Sequence, residues 1–171
     1  MTKTATIAIL AAALAVSACA KKAPKDLPVG PQGSVTTDDG TGSGSAGAIV
    51  PGTQADFVQQ MMGQDTIYFD TDRFNIDSAD QQALAGQASW LQRYPAKRIT
   101  VEGHCDERGT REYNLALGER RANAAKNYLV SLGVDPMRLT TVSYGKERPI
   151  AVGSDEESWA KNRRAVTVTV D

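Results

Sequence analysis

Residues 98–134 read RITVEGHCDERGTREYNLALGERRANAAKNYLVSLGV, and this stretch decides the fold. Arg98 to Gly103 alternates, with Ile99 and Val101 on one face, which is the pattern of a half-buried strand. From Arg111 to Leu132 the period changes. Leu115, Ala122, Ala125 and Leu129 fall along one helical stripe, and Gly133 stands where a glycine closes a helix. Outward from this strand–turn–helix unit, Asp65 to Phe69 is a short β-rich run ended by the turn chemistry of Asp70 to Asp72. Ser78 as N-cap, with Gln81 completing a capping box, opens a helix that carries Leu84, Ala88 and Leu91 to about Tyr94 and stops at Pro95. Arg138 to Tyr144 and Ala165 to Val170 alternate as strands, with a short helix between them from Asp155 to Lys161. The order β-α-β-α-β-α-β predicts an α+β domain, a mixed sheet of about four strands with helices packed on one face.

The chain is 171 residues long, with 19 Lys+Arg against 20 Asp+Glu and a net charge of -1. Binding to a phosphate backbone needs a basic surplus, so nucleic acid is excluded as the main partner. The N-terminus reads as an address. Lys3, the apolar run Ile7 to Val16 and the small residues Ser17 and Ala18 have the form of an export signal over residues 1–18. The apolar run is well short of the ~20 residues that span a bilayer. Val16-Ser17-Ala18-Cys19 resembles the lipobox of bacterial lipoproteins, which implies lipid on Cys19 and a firm multi-chain anchor. The residues after it, Ala20 and Lys21, lack the aspartate that favours the inner membrane, so the expected site is the outer membrane, facing the periplasm. Residues 19–56 then read as the lipidated end and a Pro-, Gly- and Ser-rich tether, and residues 57–171 as the folded domain. As flexible coil, the stretch from Cys19 to Gln64 reaches ~35–40 Å. Gly42 to Gly47 matches G-x-G-x-x-G without a strand before it or a helix after it, so it is linker.

The turn Gly103-His104-Cys105-Asp106-Glu107-Arg108-Gly109 crowds reactive side chains together. Neighbours in an extended segment point to opposite faces, so they do not converge on a metal ion, and no metal or cofactor is expected. His104 and Cys105 diverge for the same reason, and the sequence has no second histidine to act as base. Asp106 and Glu107 are adjacent and do not straddle a bond, so the reading is not an enzyme. Recognition remains. Asn114, Gly118 and Arg121 share a helical face, with Gly118 leaving a hollow between two polar groups. If the loop folds back, Asp106 and Arg121 oppose each other across it. They either take the ammonium and carboxylate of an amino acid or form a salt bridge with no ligand. With Cys19 lipidated, Cys105 has no disulfide partner in the chain. His104 is expected to pack or hydrogen-bond so as to fix the loop, and Asn162-Arg163-Arg164 to organise the approach to the last strand.

Residues 68–171 resemble the OmpA-like peptidoglycan-binding domain, and several segments are closest to its lipoprotein branch. They are VEGHCDERGT at 101–110, NLALGERRA at 114–122, TVSYGKERP at 141–149 and WAKNRRAV at 159–166. The resemblance implies that Asp106 and Arg121 bind the meso-diaminopimelate of the peptidoglycan stem peptide and that Asn114 is a contact residue. Asp72, in the loop after the first strand, is a further ligand contact by the same resemblance, at a position that is sometimes Asn in relatives. General family members carry Thr at the position of Cys105 and Ser at that of Gly118, and both departures fit the lipoprotein branch. The implied partners are peptidoglycan, TolB and other Tol proteins, with Glu147-Arg148-Pro149 and the Trp159 region on a protein-binding face, and the implied role links the envelope layers during division.

Overall fold

The alternating segments pair into one mixed sheet in the computed structural model, which describes residues 48–170. In chain order the elements are helix α1 (Gln54–Met61), strand β1 (Thr66–Tyr68), helix α2 (Ser78–Arg93), strand β2 (Arg98–His104) and helix α3 (Arg111–Ser131). A 3-10 turn (Pro136–Arg138), strand β3 (Leu139–Gly145), helix α4 (Glu156–Asn162) and strand β4 (Arg164–Val170) complete them. The sheet order is β1-β4-β2-β3. β2 and β3 run parallel with α3 as their crossover, while β4 is antiparallel to both β1 and β2. The expected four strands and three intervening helices are therefore present.

Burial follows the strand period. Ile67, Ile99, Val101, Leu139 and Ala165 form one apolar core with Leu84, Ala88 and Leu91 of α2 and Ala122, Ala125 and Leu129 of α3. The end of α3 is closed by Gly133 at φ +92, with Val134 N–H donating to Leu129 O and Gly133 N–H to Val130 O, the paired bonds of a Schellman motif.

Two details differ from the sequence reading. The N-cap of α2 is Asp77, not Ser78, and its reciprocal partner is Asp80, not Gln81. Two overlapping capping patterns compete here, and Asp80 prevails because its buried carboxylate also accepts from Tyr68 N–H, tying the helix start to β1. Helix α1 was not anticipated, although Thr53 caps it with Asp56 three residues on. Its only strong apolar anchors are Phe57 and Met61. Phe57 packs edge-on against Trp90 at 4.9 Å, and buried Asp56 accepts from Gly52 N–H and Trp90 Nε1.

α1 also fixes where the chain enters the domain. Gln54 Oε1 accepts from Thr169 N–H at 2.7 Å and from its hydroxyl at 2.8 Å, beside the C-terminal end of β4. Arg164, at the other end of the same strand, is about 17 Å away at ordinary strand rise. The chain therefore arrives at the pole opposite the β2–α3 loop.

α3 lies directly on β2 because two glycines face each other. A Cβ at Gly103 would run into the carbonyl of Gly118, and one at Gly118 would meet Ser143 Oγ and the Gly103 backbone. The expected hollow at Gly118 is thus filled by β2 and β3. Gly103→Ala is predicted to destabilise the domain by about 1–3 kcal/mol, since backbone has to move. Gly118→Ala should cost less because its tightest clash is with the Ser143 hydroxyl, which can rotate away, and its approach to the Gly103 carbonyl is far less severe. Denaturant midpoints of the two variants check this order.

Candidate functional site

At the C-terminal end of β2 the chain leaves the sheet through a register shift between Gly103 and His104 and enters the loop 105–110. Cys105 N–H donates to Gly145 O at 2.8 Å, and its Sγ lies 3.3 Å from Asn114 O. His104 and Cys105 diverge as expected. Among the described residues Cys105 is a buried free cysteine, and burial pushes its thiol above the ordinary value. Asn114 Nδ2 donates to Arg108 O at 2.7 Å and to Thr110 O at 3.0 Å, so this side chain pins the loop to the first turn of α3.

Arg121 is fully buried and makes no salt bridge to Asp106. Its Nε donates to Arg73 O at 2.9 Å, its Nη1 to His104 O at 2.8 Å and its Nη2 to Asp70 O at 3.1 Å. Three of the five N–H groups of a guanidinium are thereby committed to backbone. Burial pulls its pKa below the ordinary arginine value. The turn it grips holds Asp72, exposed and with φ +57, in the left-handed region.

Asp106 is held by a different cation. Arg108 donates to it from its backbone N–H at 3.1 Å, from Nε at 3.2 Å and from Nη2 at 2.6 Å. Burial raises the Asp106 carboxyl, but the Arg108 hydrogen bonds and the charges of Arg108 and Arg163 outweigh it and hold the group below the usual aspartate value.

Asp72, Asp106, Asn114 and Arg121, which come from three separate segments, line one cavity of about 240 Å³. Leu117, not Gly118, is the helix residue that lines it between Asn114 and Arg121. The sequence reading missed two charged wall residues. Arg108 is one. The other is Arg163, whose Nε donates to Phe69 O and whose Nη2 donates to Glu156. Its buried Nη1 has no hydrogen-bond partner among the described residues and lies 3.6 Å from Asp106 Oδ2. Nothing in the local pattern NRRA tells Arg163 from Arg164, which faces the other way and donates to Arg148 O. A larger cavity of about 450 Å³ adjoins across Arg163, but its buried carboxylate, Asp80, is engaged in capping α2. No cluster of three or more His, Cys, Asp or Glu among the described residues is arranged to hold a metal ion.

His104 lies on the opposite face of β2, 1% exposed and stacked on Tyr144. Neither ring nitrogen has a hydrogen-bond partner among the described residues, so it fixes the loop by packing. Burial first, then the charges of Arg164 and Arg148, lowers its pKa to about 4. At neutral pH its 3.5 Å approach to Glu102 is therefore not an ion pair.

The sequence model described as the OmpA family matches residues 68–163 of this chain. The peptidoglycan-associated lipoprotein of Agrobacterium fabrum is 51% identical over 156 residues, covering 91% of this chain and 82% of that protein. Its counterpart from Pseudomonas aeruginosa is 44% identical over 165 residues, covering 96% of each. Among solved structures, the peptidoglycan-associated lipoprotein from Burkholderia pseudomallei aligns at TM-score 0.60 and 46% identity, over 61% of this chain and 89% of that one. The C-terminal domain of Helicobacter pylori MotB aligns at TM-score 0.58 and 25% identity, over 62% and 84%.

Two predictions follow from this geometry. Arg121→Lys keeps the charge but cannot reach three carbonyls, and is expected to cost about 2–4 kcal/mol, measurable by urea unfolding. The second concerns His104, which the unfolded chain protonates near pH 6.5 while the folded protein resists to about pH 4. Stability should therefore fall as pH drops across that window, by up to about 3 kcal/mol, and His104 should add no further slope below it. Unfolding of wild type and His104→Gln across pH 3.5–7.5 is the measurement, with this part of the slope missing in the variant.

Proposed function

The chain belongs to the OmpA family, and from that premise we propose that it is a lipid-anchored outer-membrane protein that grips peptidoglycan without covalent bonds, through the diaminopimelate of the stem peptide. The observation that carries this reading is the convergence of Asp72, Asp106, Asn114 and Arg121 on one small cavity. A zwitterionic amino-acid end fits its chemistry. The ligand ammonium pairs with Asp106, and its carboxylate is drawn to the guanidinium groups of Arg121 and Arg163, both of which line the cavity. Asn114 supports the loop that presents Asp106, and the turn bearing Asp72 forms the opposite wall. The rival reading, a docking module in which Asp106 and Arg121 are only a structural pair, draws no support from a bond between them, since Asp106 pairs with Arg108 and Arg121 with backbone carbonyls.

The polar arrangement of the domain supports the anchor. Cys19, the proposed lipid site, the export signal at 1–18 and most of the tether lie outside the described residues, but the chain reaches the fold beside Thr169, at the pole away from the cavity. A membrane on one side and cell wall on the other then pull on opposite ends. No helix among the described residues is long and apolar enough to cross a membrane. The finer reading places the protein in the Tol–Pal system with TolB as a partner during division. The exposed Ile150 and Val152, next to Glu147-Arg148-Pro149, offer apolar surface for such docking. The function is binding, not catalysis.

Co-sedimentation of the full chain with purified sacculi tests this reading. Asp106→Asn is expected to weaken binding about ten- to a hundredfold, the loss of one charge-assisted bond of ~1.5–3 kcal/mol, while the melting temperature moves by only a few degrees. A folded Asp106→Asn protein that pellets like wild type would remove Asp106 from the ligand site.

A further inference from the structure

Asp106 is the acceptor that the proposed reading assigns to the ligand ammonium, and its approaches are already taken. Oδ1 accepts from the Arg108 backbone N–H and Nε, and Oδ2 accepts from Arg108 Nη2 with Arg163 Nη1 standing 3.6 Å away. An ionised carboxylate offers about four lone-pair directions; Arg108 fills three and the Arg163 cation faces the fourth without bonding to it, so an arriving ammonium either displaces an Arg108 donor or crowds against a buried like charge. The four are not equally tied. The backbone N–H is fixed by the loop, and Arg163 is 7% exposed and anchored to Phe69 O and Glu156. The Arg108 side chain is 38% exposed, and its remaining contacts are a 3.3 Å bond to the Thr71 hydroxyl and the face of Trp159. Its guanidinium carbon lies 4.2 Å from that ring's centroid, and the ring is held by its Nε1 donating to Glu107 at 3.1 Å. A cation leaving Asp106 thus has a prepared resting place where its attraction to the aromatic face persists.

We propose that Arg108 is a displaceable latch that competes with the ligand ammonium for Asp106 and, when displaced, is held by the Trp159 ring it already covers. This rests on the proposed function. The latch also sets specificity. A simple amine entering the cavity adds a cation beside Arg108, Arg121 and Arg163, whereas a zwitterion brings the carboxylate that offsets it. Arg108 thereby selects for ligands that carry both groups, at the expense of affinity for the ammonium alone.

The test is titration of the full chain in detergent with meso-diaminopimelate, and with cadaverine as the diamine lacking both carboxylates. Binding is read by calorimetry and by Trp159 emission, with Trp159→Phe defining that residue's share of the signal. Wild type is expected to bind diaminopimelate with a change in Trp159 emission and to bind cadaverine far more weakly. Arg108→Gln is expected to bind diaminopimelate about three- to tenfold more tightly, to narrow the gap to cadaverine and to lose the emission change. Arg108→Lys, which keeps the charge but cannot span both carboxylate oxygens, should fall between them. If wild type binds while Arg108→Gln binds equally or more weakly, or if wild-type Trp159 emission is unmoved, the latch is wrong and the proposed function stands. If wild type binds neither diaminopimelate nor sacculi, both fall together.

Discussion

The buried guanidinium of Arg121 ties its own helix to two stretches of backbone that no sheet bond connects. Its donors reach Asp70 and Arg73 in the turn after β1 and His104 at the end of β2. Removing a cation from water costs several kcal/mol unless its donors are met, so the side chain stays buried only while all three carbonyls remain in place. The dependence runs in both directions. The turn that carries Asp72 in its left-handed conformation is held from inside, and the strand end that launches the Asp106 loop is held by the same group. Two walls of the cavity thus share one support, and a conservative change at Arg121 disturbs both before any ligand is considered.

The reach of Arg121 depends in turn on how closely α3 sits on the sheet. With hydrogen atoms at Gly103 and Gly118, the helix backbone touches the strand, and Ser143 Oγ can donate to Leu115 O at 2.7 Å. Gly145, at φ +50, passes close to the Asn114 backbone and accepts from Cys105 N–H. The start of the helix, the ends of β2 and β3, and the loop between them therefore interlock. The loop backbone is fixed by this packing, and the freedom left at the site belongs to side chains, that of Arg108 above all.

How legible this was in the sequence depended on the range of the interaction. Strand alternation and the Gly133 stop are local signals, and the four strands and helices α2 to α4 fall within one or two residues of their expected bounds. Helical spacing predicts an apolar stripe, yet the buried face of α3 includes Asn114 and Arg121 among Leu117, Ala122, Ala125 and Leu129, while Leu115 is half-buried. A polar group inside a core stripe defeats periodicity because its burial is compensated by distant carbonyls. For the same reason the grouping of Asp106 with Arg121 is met by a shared cavity and not by a direct contact. Their spacing placed them near each other, but the actual partner of Asp106 is its neighbour Arg108, and those of Arg121 are backbone atoms as far away as Asp70. Helix α1 was legible only in its cap, Thr53 with Asp56, because Gln54 and Asp56 meet their partners at Thr169 and Trp90, far along the chain.

β4 joins the two ends of this arrangement. Just before its start, Arg163 reaches the cavity, accepts from Phe69 N–H through its carbonyl and donates to Phe69 O through Nε; near its end, Thr169 is clasped by Gln54. The strand lies between β1 and β2 and is antiparallel to both. Under the proposed attachment, tension from the membrane enters beside Thr169 and leaves through the residues around Arg163, along the strand and not across it. Ladder bonds loaded along the strand share the force, whereas bonds opened from one end fail in turn. The same topology that gives the sheet a central antiparallel strand therefore suits the domain to bear load between its two poles, and the short helix α1, held by Phe57, Met61 and a few side-chain bonds, is the first contact on that path.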